Sequence, residues 1–476
     1  MLTPVSGGTF SQNDPPRHTL TALRHGVAAL LFPSGNERLY DAASNGKVPM
    51  RLGGRIAAAI EVLDEMERRK RPAADALKDW GLSHRFAGAG DRGAIGNIVY
   101  DALRRRRSAG WLMGDDGPRG QAFGAILLEW GMTADALVAA LEGDKFAPEP
   151  LTNAELSGFA SRNLNDAPDV VRADLPDWCV PMFETAFGEN WVAEAAALAA
   201  RPPLDMRVNT LLADRAAVLA EIAGEGAVAA DIAPNGMRIP PIQQGGRHPN
   251  VQVEPAFQMG KFEIQDEGSQ IAALLAGARP GEQVLDYCAG GGGKTLAMAA
   301  DMKNEGRIVA YDSEKARLAP IFERLKRAEC RNVEVIANVS ALAALEGQMD
   351  MVLIDAPCTG SGTWRRRPDA KWRLAQRQLD VRTREQTQIL DAASRYVKPG
   401  GRLAFVTCSV FRDENQDQVE AFVARNPDFR LADQAKVWDA NIGAHDDKAS
   451  IGPSGVVLTP SRAGTDGFFF AMLERA

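Results

Sequence analysis

After Phe262 the chain changes rhythm, and this change constrains its fold more than any other feature: short apolar runs begin to alternate with amphipathic stretches, separated by turns. The apolar runs are Gln283–Cys288, Arg307–Asp312, Val333–Ala337, Met351–Asp355 and Leu403–Thr407. The stretches between them, Lys294–Met302, Glu314–Ala328 and Gln376–Val397, carry helical periodicity. Repeated βα units of this size predict an α/β fold with a doubly wound, Rossmann-like parallel sheet, whose ligand sites lie at the carboxyl ends of the strands.

The 476 residues exceed what one such sheet needs and suggest about three domains at ~150 residues each. Residues 1–50 carry one short apolar run, Val27 to Phe32, and read as an irregular arm. Residues 51–145 read as a helical domain: Ile56, Ile60, Leu63 and Met66 recur at helix spacing, as do Ile95, Ile98, Val99 and Leu103. Residues 146–262 read as a proline-rich linker followed by a small α+β module, with a strand at Met206–Thr210 and a helix near Arg215–Ala223. Residues 263–476 form the alternating domain.

The net charge of −7 excludes a wholesale basic coat, though not a local basic patch. No run reaches the ~18 apolar residues of a membrane helix, and no signal peptide is evident, so no membrane partner is expected. Five cysteines are too few for a disulfide framework and fit a reducing cytoplasm. The histidines are scattered and CxxC is absent, so no metal is expected.

The turn after the first run of the alternating domain reads Cys288-Ala289-Gly290-Gly291-Gly292-Gly293-Lys294-Thr295. Glycines let the backbone approach a ligand closely. A phosphate-cradling P-loop needs glycine six positions before the lysine, where Cys288 stands. An adenosyl cofactor fits better, with Asp312 at the end of the next strand holding the ribose. A purely structural turn is the third reading.

Two further strand ends carry cysteines: Asp355-Ala356-Pro357-Cys358 and Thr407-Cys408-Ser409. A buried cysteine is usually an inert small hydrophobe, and Cys179 and Cys330 are assigned to that class. Two thiols at neighbouring functional loops suit cytosine chemistry. C5 of cytosine accepts a methyl group only after a thiolate adds to C6. At a pKa of ~8.5 a thiol is about 3% ionised at pH 7, so its surroundings must help. Asp355 is the candidate acid near N3.

On these motifs the chain resembles the Sun/Fmu family of S-adenosylmethionine-dependent RNA (cytosine-C5) methyltransferases, in its bacterial ribosomal-RNA branch with a NusB-like N-terminal domain. Phe262–Gln270, Asp286–Thr295, Asp355–Gly362, Thr407–Asn415, Arg207–Thr210 and Asp466–Phe469 carry the resemblance; the NusB-like part rests mainly on Asp91-Arg92-Gly93. It implies that Cys408 is the nucleophile, that Cys358 assists product release, and that Cys288, Ala289, Gly290, Gly291, Gly292, Gly293 and Lys294 line S-adenosyl-L-methionine. It further implies that Asp312 holds the cofactor's ribose, Asn338 meets its adenine, and Asp355 sits at the cofactor–base junction. DNA cytosine methyltransferases use their Pro-Cys cysteine as nucleophile, so the presence of Cys408 favours RNA. Gly290 and Gly291 replace the family's usual Ala-Pro, and Asn338 replaces a usual Asp. Losing the proline is expected to loosen the loop.

The implied substrate is small-subunit ribosomal RNA, with transfer RNA as runner-up, acted on by a monomer. Between Trp364 and Arg384, Arg365, Arg366, Arg367, Lys371, Arg373, Arg377, Arg382 and Arg384 interleave with Trp364 and Trp372 and read as a site for phosphate contact and stacking. The run Arg104–Arg107 reads as a solvated helix end, with RNA contact as its alternative. Two other classes stay open: a catalytically silent RNA-binding assembly factor and a P-loop NTPase.

Overall fold

The large sheet dominates the computed structural model, which describes residues 49–443 and 446–476; of the N-terminal arm only residues 49 and 50 are among them. Thirteen strands are described. In chain order they are β1 (Leu204–Val208), β2 (Val228–Ala229), β3 (Gly236–Ile239), β4 (Phe262–Ile264), β5 (Gln283–Asp286), β6 (Arg307–Tyr311), β7 (Val333–Ile336), β8 (Met349–Asp355), β9 (Val397–Thr407), β10 (Phe429–Leu431), β11 (Ser450–Gly452), β12 (Gly455–Leu458) and β13 (Phe468–Arg475). The nine-stranded sheet runs β11-β12-β13-β9-β8-β5-β6-β7, with β10 on β13. β5 to β9 are mutually parallel and β13 is antiparallel to β9.

This topology explains the apolar runs. Val284, Ile308, Met351, Leu353, Ala404 and Val406 enter one core, while the alternate residues Leu285, Val309, Val352, Ile354, Leu403 and Phe405 enter another. A strand buried on both faces has no polar side, so alternation disappears from its sequence. The chain leaves β5 toward β6 and β7, then crosses to β8 on the other side of β5. That reversal opens a crevice at the carboxyl ends of β5 and β8.

Several element boundaries differ from expectation. β5 ends at Asp286, so Tyr287 and Cys288 belong to the loop. Residues 314–328 form two helices, Lys315–Leu318 and Ile321–Arg327, broken at Pro320, which cannot donate within a helix. The helix from Gln376 stops at Ala393, and Val397 already belongs to the eleven-residue β9. The antiparallel strands β10 to β13 were not anticipated; their runs are short or lack a following helix.

Before the large sheet, residues 49–203 contain no strand. Helices α1 (Leu52–Arg69), α2 (Ala73–Ser83), α3 (Ala89–Arg104), α4 (Arg106–Met113), α5 (Pro118–Glu129) and α6 (Ala134–Leu141) share a core that includes Ile56, Leu63, Ile95, Ile98, Val99 and Phe123. Along α1 it is Val62, rather than Ile60, that is fully buried. The expected linker holds the helices Asn153–Ser161 and Asp169–Arg172. The small sheet, β2-β3-β1-β4, is antiparallel. The described residues form one compact unit.

The joint between bundle and large sheet corrects two expectations. Arg104 Nε donates to the Arg365 carbonyl at 2.9 Å, and Arg105 pairs with Glu129. Arg106 pairs with Glu67 and lies over the Trp372 ring, and Arg107 pairs with Asp177. The run is therefore not a free, solvated helix end, since its cations are already engaged within the protein. Trp364 is buried, and Trp372 Nε1 donates to the Leu103 carbonyl at 2.6 Å. Arg365 and Arg366 grip Asp466, and Arg366 also grips Asp266 at 2.8 Å. Lys371 is buried beside Asp174, and that burial pushes its ammonium down to about 8. Arg365, Arg366 and Lys371 are thus claimed by carboxylates far away in sequence, whereas Arg367, Arg373, Arg377 and Arg384 stay exposed.

Candidate active site

Three loops meet at the crevice. The first follows β5. Tyr287 N–H donates to the Leu353 carbonyl of β8, and Ala289 N–H to the Tyr311 carbonyl of β6, so the loop is pinned to both neighbouring strands. Gly290 and Gly292 have φ of +50° and +81°. A Cβ at Gly292 would lie 2.5 Å from Ile321 Cγ1, so this position needs glycine both for its backbone and for space. The Gly291 carbonyl accepts from Arg324 Nη1 at 2.6 Å, and Arg324 is itself held by Glu263. Gly293 opens the helix Gly293–Asp301.

Asp312, at the end of β6, is buried against this loop. Its Oδ2 accepts from Gly290 N–H at 3.0 Å and lies 3.2 Å from Arg317 Nη1, while Oδ1 accepts from Glu314 N–H at 2.9 Å. Oδ1, with one donor, retains a lone pair for a hydroxyl. The loop amide that a P-loop would offer to phosphate is thus given to a carboxylate, and Lys294 Nζ, instead of facing a phosphate, donates to Asp355 Oδ2 at 2.8 Å. That arrangement disfavours the NTPase reading. Beneath the loop lies Asp286, absent from the sequence-based candidates. Its Oδ2 accepts from Thr295 Oγ1 at 2.7 Å and its Oδ1 has no partner among the described residues. Burial raises its carboxyl to about 7.

The second and third loops follow β8 and β9, which are adjacent and parallel. They bring Cys358 Sγ and Cys408 Sγ to 3.4 Å, both half-buried. The Cys358 thiol is pushed well above its usual range, first by sharing its hydrogen bond with Cys408 and next by burial. Cys288 is buried, and desolvation raises its thiol well above the usual range. Cys179 and Cys330 are raised by burial to about 12 and about 11, as inert core thiols should be.

The crevice therefore gathers Cys288 to Lys294, Asp312, Asp355, Cys358 and Cys408. Asn338 stands apart from these hydrogen bonds. It follows β7, two strands from β5, and its exposed side chain accepts from Ser340 N–H at 3.1 Å. Glu414 was also missed as an individual residue; it is buried and bonded to both cysteine loops. The signal for it lay inside Thr407–Asn415, but only the fold shows what it touches.

Comparison with known proteins agrees with this geometry. Residues 273–474 match the family described as 16S rRNA methyltransferase RsmB/F, and residues 175–241 match the ferredoxin-like domain of the same family. A ribosomal RNA small subunit methyltransferase B from Cronobacter sakazakii is 32% identical over 322 residues, covering 67% of this chain and 68% of that one. The chain belongs to the RsmB/F family. Among solved structures, PH0851 covers 90% of this RsmB/F chain and is covered completely, at 25% identity and a TM-score of 0.66. NSun6 from Pyrococcus horikoshii, solved with SFG, covers 63% of this chain and 98% of its own, at 20% identity and a TM-score of 0.55, a likeness of fold. The ferredoxin-like match falls on the segment that builds β1 to β3.

Proposed function

We propose that this chain methylates C5 of a cytosine in small-subunit ribosomal RNA, attaching Cys408 transiently to C6 of the base. The supporting observation is the 3.4 Å approach of Cys358 and Cys408 beside a glycine loop and a strand-end carboxylate. S-adenosyl-L-methionine is the cofactor, and when bound it supplies an electrophilic methyl on a sulfonium. The residues fit it: a loop closed to side chains at Gly292, Asp312 with a lone pair on Oδ1 for a ribose hydroxyl, and a buried Asp286 oxygen lacking a partner among the described residues.

The Cys408 thiolate adds to C6, which makes C5 nucleophilic enough to accept the methyl. Loss of the C5 proton to a base and expulsion of the thiolate then restore the aromatic ring. Cys358, whose raised pKa keeps its proton in place, donates toward the Cys408 sulfur and stabilises negative charge there. In this reading it also assists release of the product. Asp355, steadied by Lys294, meets the polar edge of the cytosine at the cofactor junction. The base must leave its stack to reach Cys408, so the target is a single-stranded or distorted segment.

The helices α1 to α6 serve as the NusB-like domain, residues 146–262 as linker and recognition module, and 263–476 as the catalytic domain. The enzyme works as a cytoplasmic monomer, and no single helix among the described residues is long and apolar enough to cross a membrane. Bisulfite sequencing of total RNA with and without the protein tests the reading. A new protected cytosine in small-subunit ribosomal RNA is expected. A mark confined to transfer RNA would replace the substrate, and no change would overturn the reading.

A further inference from the structure

Glu414 is a fully buried carboxylate with no cation bonded to it among the described residues. Its Oε1 accepts from Thr359 N–H at 2.7 Å and its Oε2 from Thr359 Oγ1 at 2.6 Å. Oε2 also accepts from Ser409 Oγ at 2.5 Å. Thr359 directly follows Cys358, and Ser409 directly follows Cys408. One carboxylate thus grips the next residue after each cysteine, and a second contact joins the same loops, the Ser361 and Ser409 hydroxyls lying 2.9 Å apart. Gln386 Nε2 anchors the Pro357 carbonyl at 3.0 Å and lies 3.5 Å from Glu414. Asn415 Nδ2 donates to the Ser409 carbonyl at 2.9 Å.

We infer that Glu414 is a positioning residue that holds the Cys358 and Cys408 loops in register, so that the two sulfurs meet over one base. The inference rests on the proposed roles of those cysteines. Glu414 touches neither substrate nor cofactor and works through Thr359 and Ser409. Charge adds a second effect: the Glu414 carboxylate helps hold the Cys358 thiol above its usual range, after the Cys408 hydrogen bond and burial. Burial raises the Glu414 carboxyl in turn, and its hydroxyl and amide donors oppose that rise. A carboxylate with neutral donors alone is expensive to bury, which argues that the grip has a purpose beyond packing.

Glu414→Asp keeps the charge but is one methylene too short to hold both loops. Glu414→Gln keeps the reach and loses the charge; its amide can serve the same hydroxyls once they rotate to accept. In the full-length protein, Glu414→Asp is expected to lower kcat for RNA methylation about 100-fold, the scale of an ångström-size misplacement. The KM for RNA and calorimetric S-adenosylmethionine affinity should stay within about 3-fold of wild type. Glu414→Gln should restore kcat to within about 10-fold of wild type. In a Cys408→Ala background it should also shift the pH midpoint for alkylation of Cys358 downward, followed by peptide mass spectrometry. A kcat for Glu414→Asp within about 3-fold of wild type, or a parallel loss of cofactor binding, would overturn the inference. If Glu414→Asp does not melt cooperatively, the alkylation midpoint decides alone: a downward shift supports the inference and an unmoved midpoint refutes it. Cys408→Ala is assayed alongside. Full activity there would sink the cysteine assignment itself, whereas an inactive Cys408→Ala with an unaffected Glu414→Asp would sink only the positioning role.

Discussion

Asp355–Gly362 and Trp364–Arg373 are separated by a single residue, yet their side chains meet opposite fates. The first presents a half-buried thiol 3.4 Å from a second thiol, at the open end of a parallel sheet. The second turns Arg365, Arg366 and Trp372 inward, where Asp266, Asp466 and the Leu103 carbonyl receive them. Residue type suggested function for both. The difference lies in partners: Cys358 meets another reactive group, whereas Arg365 and Arg366 meet carboxylates that neutralise them. A basic run can be read as a nucleic-acid surface only once its counter-charges are located.

The largest effect expected on this contrast is loss of the thiol. Cys408→Ala should reduce methylation on the order of 10⁴-fold or more, measured by tritium transfer from S-adenosylmethionine to RNA, with cofactor affinity unchanged by calorimetry. Next comes Arg366→Ala, which leaves Asp466 and Asp266 in the interior with Arg365 but without a second arginine. It should cost about 3 kcal/mol in denaturant unfolding while leaving the salt dependence of RNA binding unchanged. A reduced salt slope with unaltered stability would return the segment to the RNA surface.

Smaller effects sharpen the boundary. Arg377 and Arg384 are exposed, lie seven residues apart on the helix Gln376–Ala393, and their side chains make no ion pair or hydrogen bond among the described residues. Their combined replacement by alanine should leave melting alone. It should lower the slope of log affinity against log salt by about 0.7 per charge, the single-strand value. The smallest effect concerns Asp286. Its carboxyl is raised from 3.8 to about 7 in the folded chain, so the folded state holds this proton more tightly than the unfolded one. Its contribution is present below pH ~4 and is lost as the pH rises through ~7. Asp286→Asn removes that dependence. Its melting temperature relative to wild type should therefore climb by a few degrees between pH 4 and pH 8.

The parallel strands were legible because burial on both faces writes uninterrupted apolar runs, as in Val284-Leu285 and Val352-Leu353-Ile354. The cysteine loops were legible because strand ends in such a sheet share one edge. Pro320 breaking its helix was visible in principle, since proline cannot continue an α-helix. Other features were hidden by their physics. Glu414 acts through Thr359, distant in sequence, and the burial of an acid such as Asp286 leaves no local pattern. β10 and β13 are antiparallel additions paired across long separations. The basic joint looked exposed because its counter-ions, Asp101, Asp174, Asp266 and Asp466, lie one to two hundred residues from some of their partners.

The central claim is that Cys358 and Cys408 act on the same base in successive steps. Cys358→Ala, incubated with small-subunit ribosomal RNA and S-adenosylmethionine and then run on a denaturing gel, tests it most directly. A slow-migrating protein–RNA species should accumulate and should vanish in Cys358→Ala/Cys408→Ala. No such species alongside undiminished methylation, or one that persists without Cys408, would contradict the account.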